Sequence, residues 1–175
     1  AGPARGILRR RCALGTIVDY ACQSLDDDDC MTVAAELASR CRSAQTEQAA
    51  SSLSQLYVHG NSCSCAGAEC LAAAALLAEG GMQQLTRLSL HENNIGDRGA
   101  SVVFEAIGRG DALASLAHLN LSSNHVGDEG ARALSILIGG SRVAPLALEE
   151  VSLRANRIGS CGCEALVHSA DAASR

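Results

Sequence analysis

The chain has 175 residues, 47% of them apolar, with only three aromatics and a net charge of −5 in which all 14 basic residues are arginine. This is one domain's length of chain, and the acidic balance speaks against a nucleic-acid partner, because phosphate binding rests on clustered positive charge. The longest apolar run, residues 71–78, is far too short to cross a bilayer, so a soluble protein with no membrane partner is expected.

Residues 1–21 form no assignable element. Arg9-Arg10-Arg11 ahead of residues 13–18 has the layout of a targeting signal, but Asp19 interrupts the apolar run and no clean cleavage site follows. Residues 22–52 read as a degenerate first repeat, Cys22-x-x-Leu25-x-Asp27-x-x-Cys30, followed by an amphipathic helix over residues 32–42. In that register Asp27 points inward. The acids from Asp26 to Asp29 suggest a calcium or basic-partner site on one reading and a solvated edge on another, and charge runs favour the second.

From residue 53 to 175 one pattern recurs four times. The copies are Leu53-x-x-Leu56-x-Val58-x-x-Asn61, Leu85-x-x-Leu88-x-Leu90-x-x-Asn93, Leu116-x-x-Leu119-x-Leu121-x-x-Asn124 and Leu148-x-x-Val151-x-Leu153-x-x-Asn156. The asparagines fall 32, 31 and 32 residues apart, which marks a stacked array. Leu88 and Leu90 alternate with Ser89 as in a short strand that buries one face. Where the chain bends away, buried backbone groups need partners, and Asn carries both a donor and an acceptor. Asn61, Asn93, Asn124 and Asn156 are therefore a structural ladder.

The copies stay alike past the ladder. Ile95, Val126 and Ile158 return the chain to the core, and Gly96, Gly127 and Gly159 suit a turn of positive φ. Asp97, Asp128 and Ser160 are expected to N-cap the helices that follow. Val103 with Ile107, Leu134 with Leu137, and Leu166 supply the inward stripe of those helices.

Between the inward leucines, three columns of side chains stand on the outer face of the strands. They run Gln55, Arg87, His118, Glu150; then Tyr57, Ser89, Asn120, Ser152; then His59, His91, Ser122, Arg154. His59 and His91 become neighbours about one strand spacing, ~5 Å, apart. A two-histidine metal site lacks its third ligand, so solvated polar residues on a binding face are the better reading. No phosphate loop, activated nucleophile or convergent carboxylate pair is present, which predicts no enzyme and no cofactor.

Nine cysteines include the pairs Cys63/Cys65 and Cys161/Cys163, three repeats apart and too closely spaced for structural zinc. Cys63 aligns with Ile95 and Cys163 with Ala100, which makes both core filler. An odd number of cysteines used in this way points to reduced thiols and a cytoplasmic location.

The strand–loop–helix unit quoted above resembles the ribonuclease-inhibitor type of leucine-rich repeat, found in the C-terminal repeats of NOD-like receptors and in Ran GTPase-activating proteins. The resemblance is strong over residues 53–175, four repeats, and weak over 22–52; the units are longer than usual for the type. It implies an α/β solenoid in a horseshoe arc, with parallel strands on the concave face and helices on the convex face. It also implies a non-catalytic scaffold for protein–protein interaction. The partner would then cross the concave face, over Tyr57, His59, Arg87, His91, His118, Asn120, Glu150 and Arg154. The alternative is a regulator of a small GTPase, although the acidic segment typical of that group does not follow these repeats. Neither end shows a polar capping unit, which reads as part of a longer repeat array.

Overall fold

A computed structural model describes residues 17–44, 53–77, 84–109, 113, 115–140 and 147–173. Strands and helices alternate strictly along the chain: β1 (Ile17–Asp19), α1 (Asp27–Ala44), β2 (Gln55–Tyr57), α2 (Cys65–Leu77), β3 (Arg87–Ser89), α3 (Gly96–Gly108), β4 (His118–Asn120), α4 (Asp128–Gly139), β5 (Glu150–Ser152) and α5 (Ser160–Ala173). The five strands form one parallel sheet in sequence order. Among the described helices, each one meets only the helices of adjacent repeats, so every unit touches its neighbours and nothing more distant.

The sequence pattern explains this arrangement. In β2, β3 and β4 the central Leu56, Leu88 and Leu119 are buried, while most of the flanking residues reach the outer face. Leu85 and Leu116 before the strands, Leu90 and Leu121 after them, and Ile95 and Val126 beyond the bend are all buried. From α3 come Val103, Phe104 and Ile107, and from α4 Leu134 and Leu137, as the helical spacing predicts. In the fifth unit the same positions, Val151, Leu153, Ile158 and Leu166, are only half-buried, since no described element packs over the far side of β5 and α5.

Each ladder asparagine reaches back to the preceding repeat. Asn124 is fully buried; its Nδ2 donates to Leu90 O at 2.8 Å and Ser122 O at 3.1 Å, and its Oδ1 accepts from Ile95 N at 3.3 Å. Asn93 is buried in the same way, bonded to Cys63 N, Val58 O and Leu90 O. Asn61 and Asn156 make equivalent bonds but are only half-buried. The residue before each ladder asparagine adopts a left-handed backbone, Gly60 (φ 67°), Glu92 (54°), Ser123 (56°) and Ala155 (53°), and so does Cys22 (52°) at the equivalent place in the first unit. Four of these five are not glycine, so the ladder imposes a conformation that L-residues resist.

A second ladder runs the opposite way, and it corrects the capping expectation. Asp97 and Asp128 do not cap their own helices; α3 and α4 have no side-chain cap. Asp97 Oδ1 instead accepts from Gly127 N at 2.6 Å and Gly130 N at 2.9 Å, at the start of α4. Asp128 Oδ1 serves Gly159 N and Gly162 N at the start of α5. A Cβ at Gly162 would lie 2.6 Å from that oxygen, so the second glycine of the motif is required for close approach. The expected positive φ holds at Gly96 (64°) alone of the three; Gly127 is extended at −109°. In this column Cys65 stands where the neighbouring units have an acid.

The first repeat begins earlier than its sequence pattern suggested. β1 lies at Ile17–Asp19, inside the flank expected to lack structure, and pairs with β2 through Val18 and Leu56. The starts of β1 and β2 are 38 residues apart because α1, with 18 residues, is longer than the other helices, so a shift of 31 misplaces the register. Cys22 to Cys30 is therefore loop and helix start. Asp27 is not inward: it is the first member of the forward ladder, accepting from Ser64 N (2.7 Å), Ser64 Oγ (2.6 Å) and Gly67 N (3.1 Å). Asp26 and Asp29 bond reciprocally across the first turn of α1, a capping arrangement. Residues 1–16 and 45–52 lie outside the described residues.

Candidate functional site

The outer face of the sheet carries a depression of about 310 Å³. Seven of the eight residues expected there line it: Tyr57, His59, Arg87, His91, His118, Asn120 and Glu150. Arg154 is exposed on the same side but does not line it. The pairing register sets the columns as the repeats imply, with Arg87 opposite His118 and His118 opposite Glu150. Ser89 and Ser152, named in the columns but not among the binding residues, also contribute to the lining. Their signal was the register itself.

Local contacts hold these side chains in place. The rings of His59 and His91 stack with centroids 4.1 Å apart and planes 15° from parallel. Tyr57 meets His59 edge-on at 6.3 Å, and its hydroxyl donates to Gln55 Oε1 at 2.7 Å. His91 Nδ1 lies 2.9 Å from Ser89 Oγ and 3.4 Å from Asn120 Nδ2. An amide nitrogen can only donate, so Nδ1 acts as the acceptor and the neutral ring carries its proton on Nε2. Burial first, then the adjacent His59, pulls the His91 pKa below the usual histidine range, with Glu92 partly opposing them. His118 Nδ1 is 3.4 Å from Glu150 Oε2 without a hydrogen bond between them, and this buried atom has no hydrogen-bond partner among the described residues.

Arg87 is exposed, and no carboxylate among the described residues lies within ion-pair distance of it. The arginines of the helical face differ: Arg98 pairs with Glu69 and Arg132 with Glu129. Among the described residues no group of three or more His, Cys, Asp or Glu side chains converges as metal ligands, at the histidine stack or at Asp26–Asp29.

The cysteine expectation needs two corrections. Cys30 and Cys63 are both buried, as core filler should be, but they form a disulfide between the first and second repeats. Cys30 stands on α1 facing Cys63, not at the ladder position that a 31-residue shift of the pattern gives it. Cys163 is exposed rather than core, since no described element covers that part of α5. Burial, reinforced by the charges of Asp27 and Glu69, pushes the Cys70 thiol up and away from the reactive thiolate.

The family described as Leucine Rich repeat matches residues 81–104 and 112–135, most of the third repeat and most of the fourth. No curated protein matches the chain. The five-stranded parallel sheet and its alternating helices make the architecture an α/β leucine-rich-repeat solenoid. No described helix is long and apolar enough to cross a membrane.

Proposed function

We propose that this leucine-rich-repeat solenoid is a non-catalytic scaffold whose protein partner lies across the outer face of the sheet. Leucine-rich repeats generally mediate protein–protein interaction, which supports the class of function by analogy of fold. One observation carries the choice of face. The chain has three aromatic residues; Tyr20 and Phe104 are buried in the core, and Tyr57 alone is accessible, beside the unpaired Arg87 in the sheet-face depression. Tyrosine and arginine are the residue types that most often anchor interfaces.

The test is capture of partners from the source cells by the intact chain and its variants. Tyr57→Ala and Arg87→Ala should each weaken the main partner by about 1–2 kcal/mol while leaving the circular dichroism spectrum unchanged. Arg98→Ala and Arg132→Ala, which break only exposed ion pairs on the helical face, should have no effect. If the helical-face changes abolish capture and the sheet-face changes do not, the assignment of the face is wrong.

A further inference from the structure

We propose that the partner segment seated in the sheet-face depression is acidic, with a carboxylate on Arg87, and that the neighbouring histidines take up protons from solvent as it binds. This rests on the sheet-face reading above and specifies its chemistry.

The charge distribution carries the argument. The protein as a whole is acidic, yet three of its five histidines line one depression together with Arg87, which has no ion-pair partner among the described residues. The single acid in that lining, Glu150, stands at its edge and is turned toward His118. A guanidinium without a partner offers a fork of donors that matches a carboxylate. His118, paired with Arg87 in the register, has at Nδ1 a buried nitrogen with no hydrogen-bond partner among the described residues.

The histidine stack supplies the link to protons. Two imidazolium rings at 4.1 Å repel, so the free protein resists protonating both. The lowered His91 pKa agrees with this. Few other charges face the stack. Glu92 follows His91, Arg154 stands two strands on in the same column, and Asp19 lies on β1 with its carboxylate bonded to Ala21 N. A carboxylate arriving over Arg87 adds the counter-charge that lets a second ring accept a proton. Affinity for an acidic segment should therefore rise as pH falls through the histidine range.

Three synthetic peptides can test this on the isotope-labelled full chain by NMR: capped hexaglutamate, capped hexalysine and a neutral Gly-Ser hexapeptide. Hexaglutamate should shift the ring signals of His59, His91 and His118, and should bind at least about tenfold more tightly near pH 6 than near pH 8. Arg87→Gln should weaken it about tenfold or more, and Glu150→Gln should strengthen it, with both variants checked for unchanged backbone spectra. Hexaglutamate that leaves the sheet-face signals unmoved, or binds independently of pH, overturns the proposal. If hexalysine or the neutral peptide binds the sheet face as well as hexaglutamate, the acid preference falls while the face assignment stands. Shifts confined to the helical face would overturn both.

Discussion

Removing one buried rung separates the Asn ladder from the surface asparagines beside it. Asn124→Ala deletes the acceptor for Ile95 N and one partner each of Leu90 O and Ser122 O. Leu90 O keeps its bond from Asn93 Nδ2, so it is not orphaned. Ile95 N is left with no side-chain partner inside a buried segment, and a buried donor without a partner costs about 1–3 kcal/mol. A small void at a fully buried position adds to this, which puts the expected loss near ~3 kcal/mol. Asn124→Asp keeps the acceptor but sets a carboxylate against two carbonyl oxygens, and should be no better than alanine. Asn120→Ala is the control. It lies one turn of the pattern away on the accessible face, where water can replace its bond to Ser122 N, and should cost less than about 0.5 kcal/mol. The chain has no tryptophan, so urea unfolding is best followed by far-ultraviolet circular dichroism. Equal losses for Asn124→Ala and Asn120→Ala would refute the ladder reasoning.

The forward ladder makes a parallel claim: Asp97→Ala should destabilise by about 1–2 kcal/mol through the start of α4 rather than α3, visible as faster amide exchange at Gly127 and Gly130. Asp27 gives it a pH signature. Partial burial raises its pKa, but the bonds from Ser64 and Gly67 together outweigh this and hold it below the ordinary aspartate range. Its contribution is thus full above the unfolded-state pKa and is lost as pH falls through the lower folded value, so Asp27→Asn should flatten the acid limb of the stability curve. Reductant should destabilise the first two repeats, by about 3 kcal/mol, by opening the Cys30–Cys63 link; an unchanged melting temperature would mean that those thiols are filler after all. Ala155→Gly, at a φ of 53°, should stabilise by up to about 1 kcal/mol, the reverse of the usual glycine effect.

Much of this fold was legible because a repeat tests its own register. Four aligned copies placed Leu56, Leu88 and Leu119 inward and Arg87 beside His118 without any structure. The first repeat has no neighbour before it in the alignment, and its long helix broke the only ruler available, so the strand at Ile17–Asp19 was missed. The aspartates were recognised as helix-start residues, but a sequence does not show which helix a carboxylate turns toward; the paired glycines of the following unit were the clue. The Cys30–Cys63 pairing depended on the same lost register. On the sheet face the identity of the neighbours was readable. The stacking of His59 on His91, and the orphaned His118 nitrogen, depend on side-chain torsions that spacing does not encode.

Cys65 divides the array. The first and second units are joined by the disulfide and by Asp27, and the third, fourth and fifth by Asp97 and Asp128. Between the second and third, among the described residues, Asn93 alone reaches across in ladder fashion, with the bond from Thr86 Oγ1 to Ser54 O and the exposed Arg98–Glu69 pair beside it. A solenoid opens first at its weakest joint, so partial unfolding should part the chain there into a two-unit and a three-unit block. That joint runs beneath the depression. Tyr57 and His59 belong to one block, and Arg87, His91 and His118 to the other. A molecule bound across them would act as a clasp, and its presence would be felt as slowed hydrogen exchange in β2 and β3, on both sides of the joint.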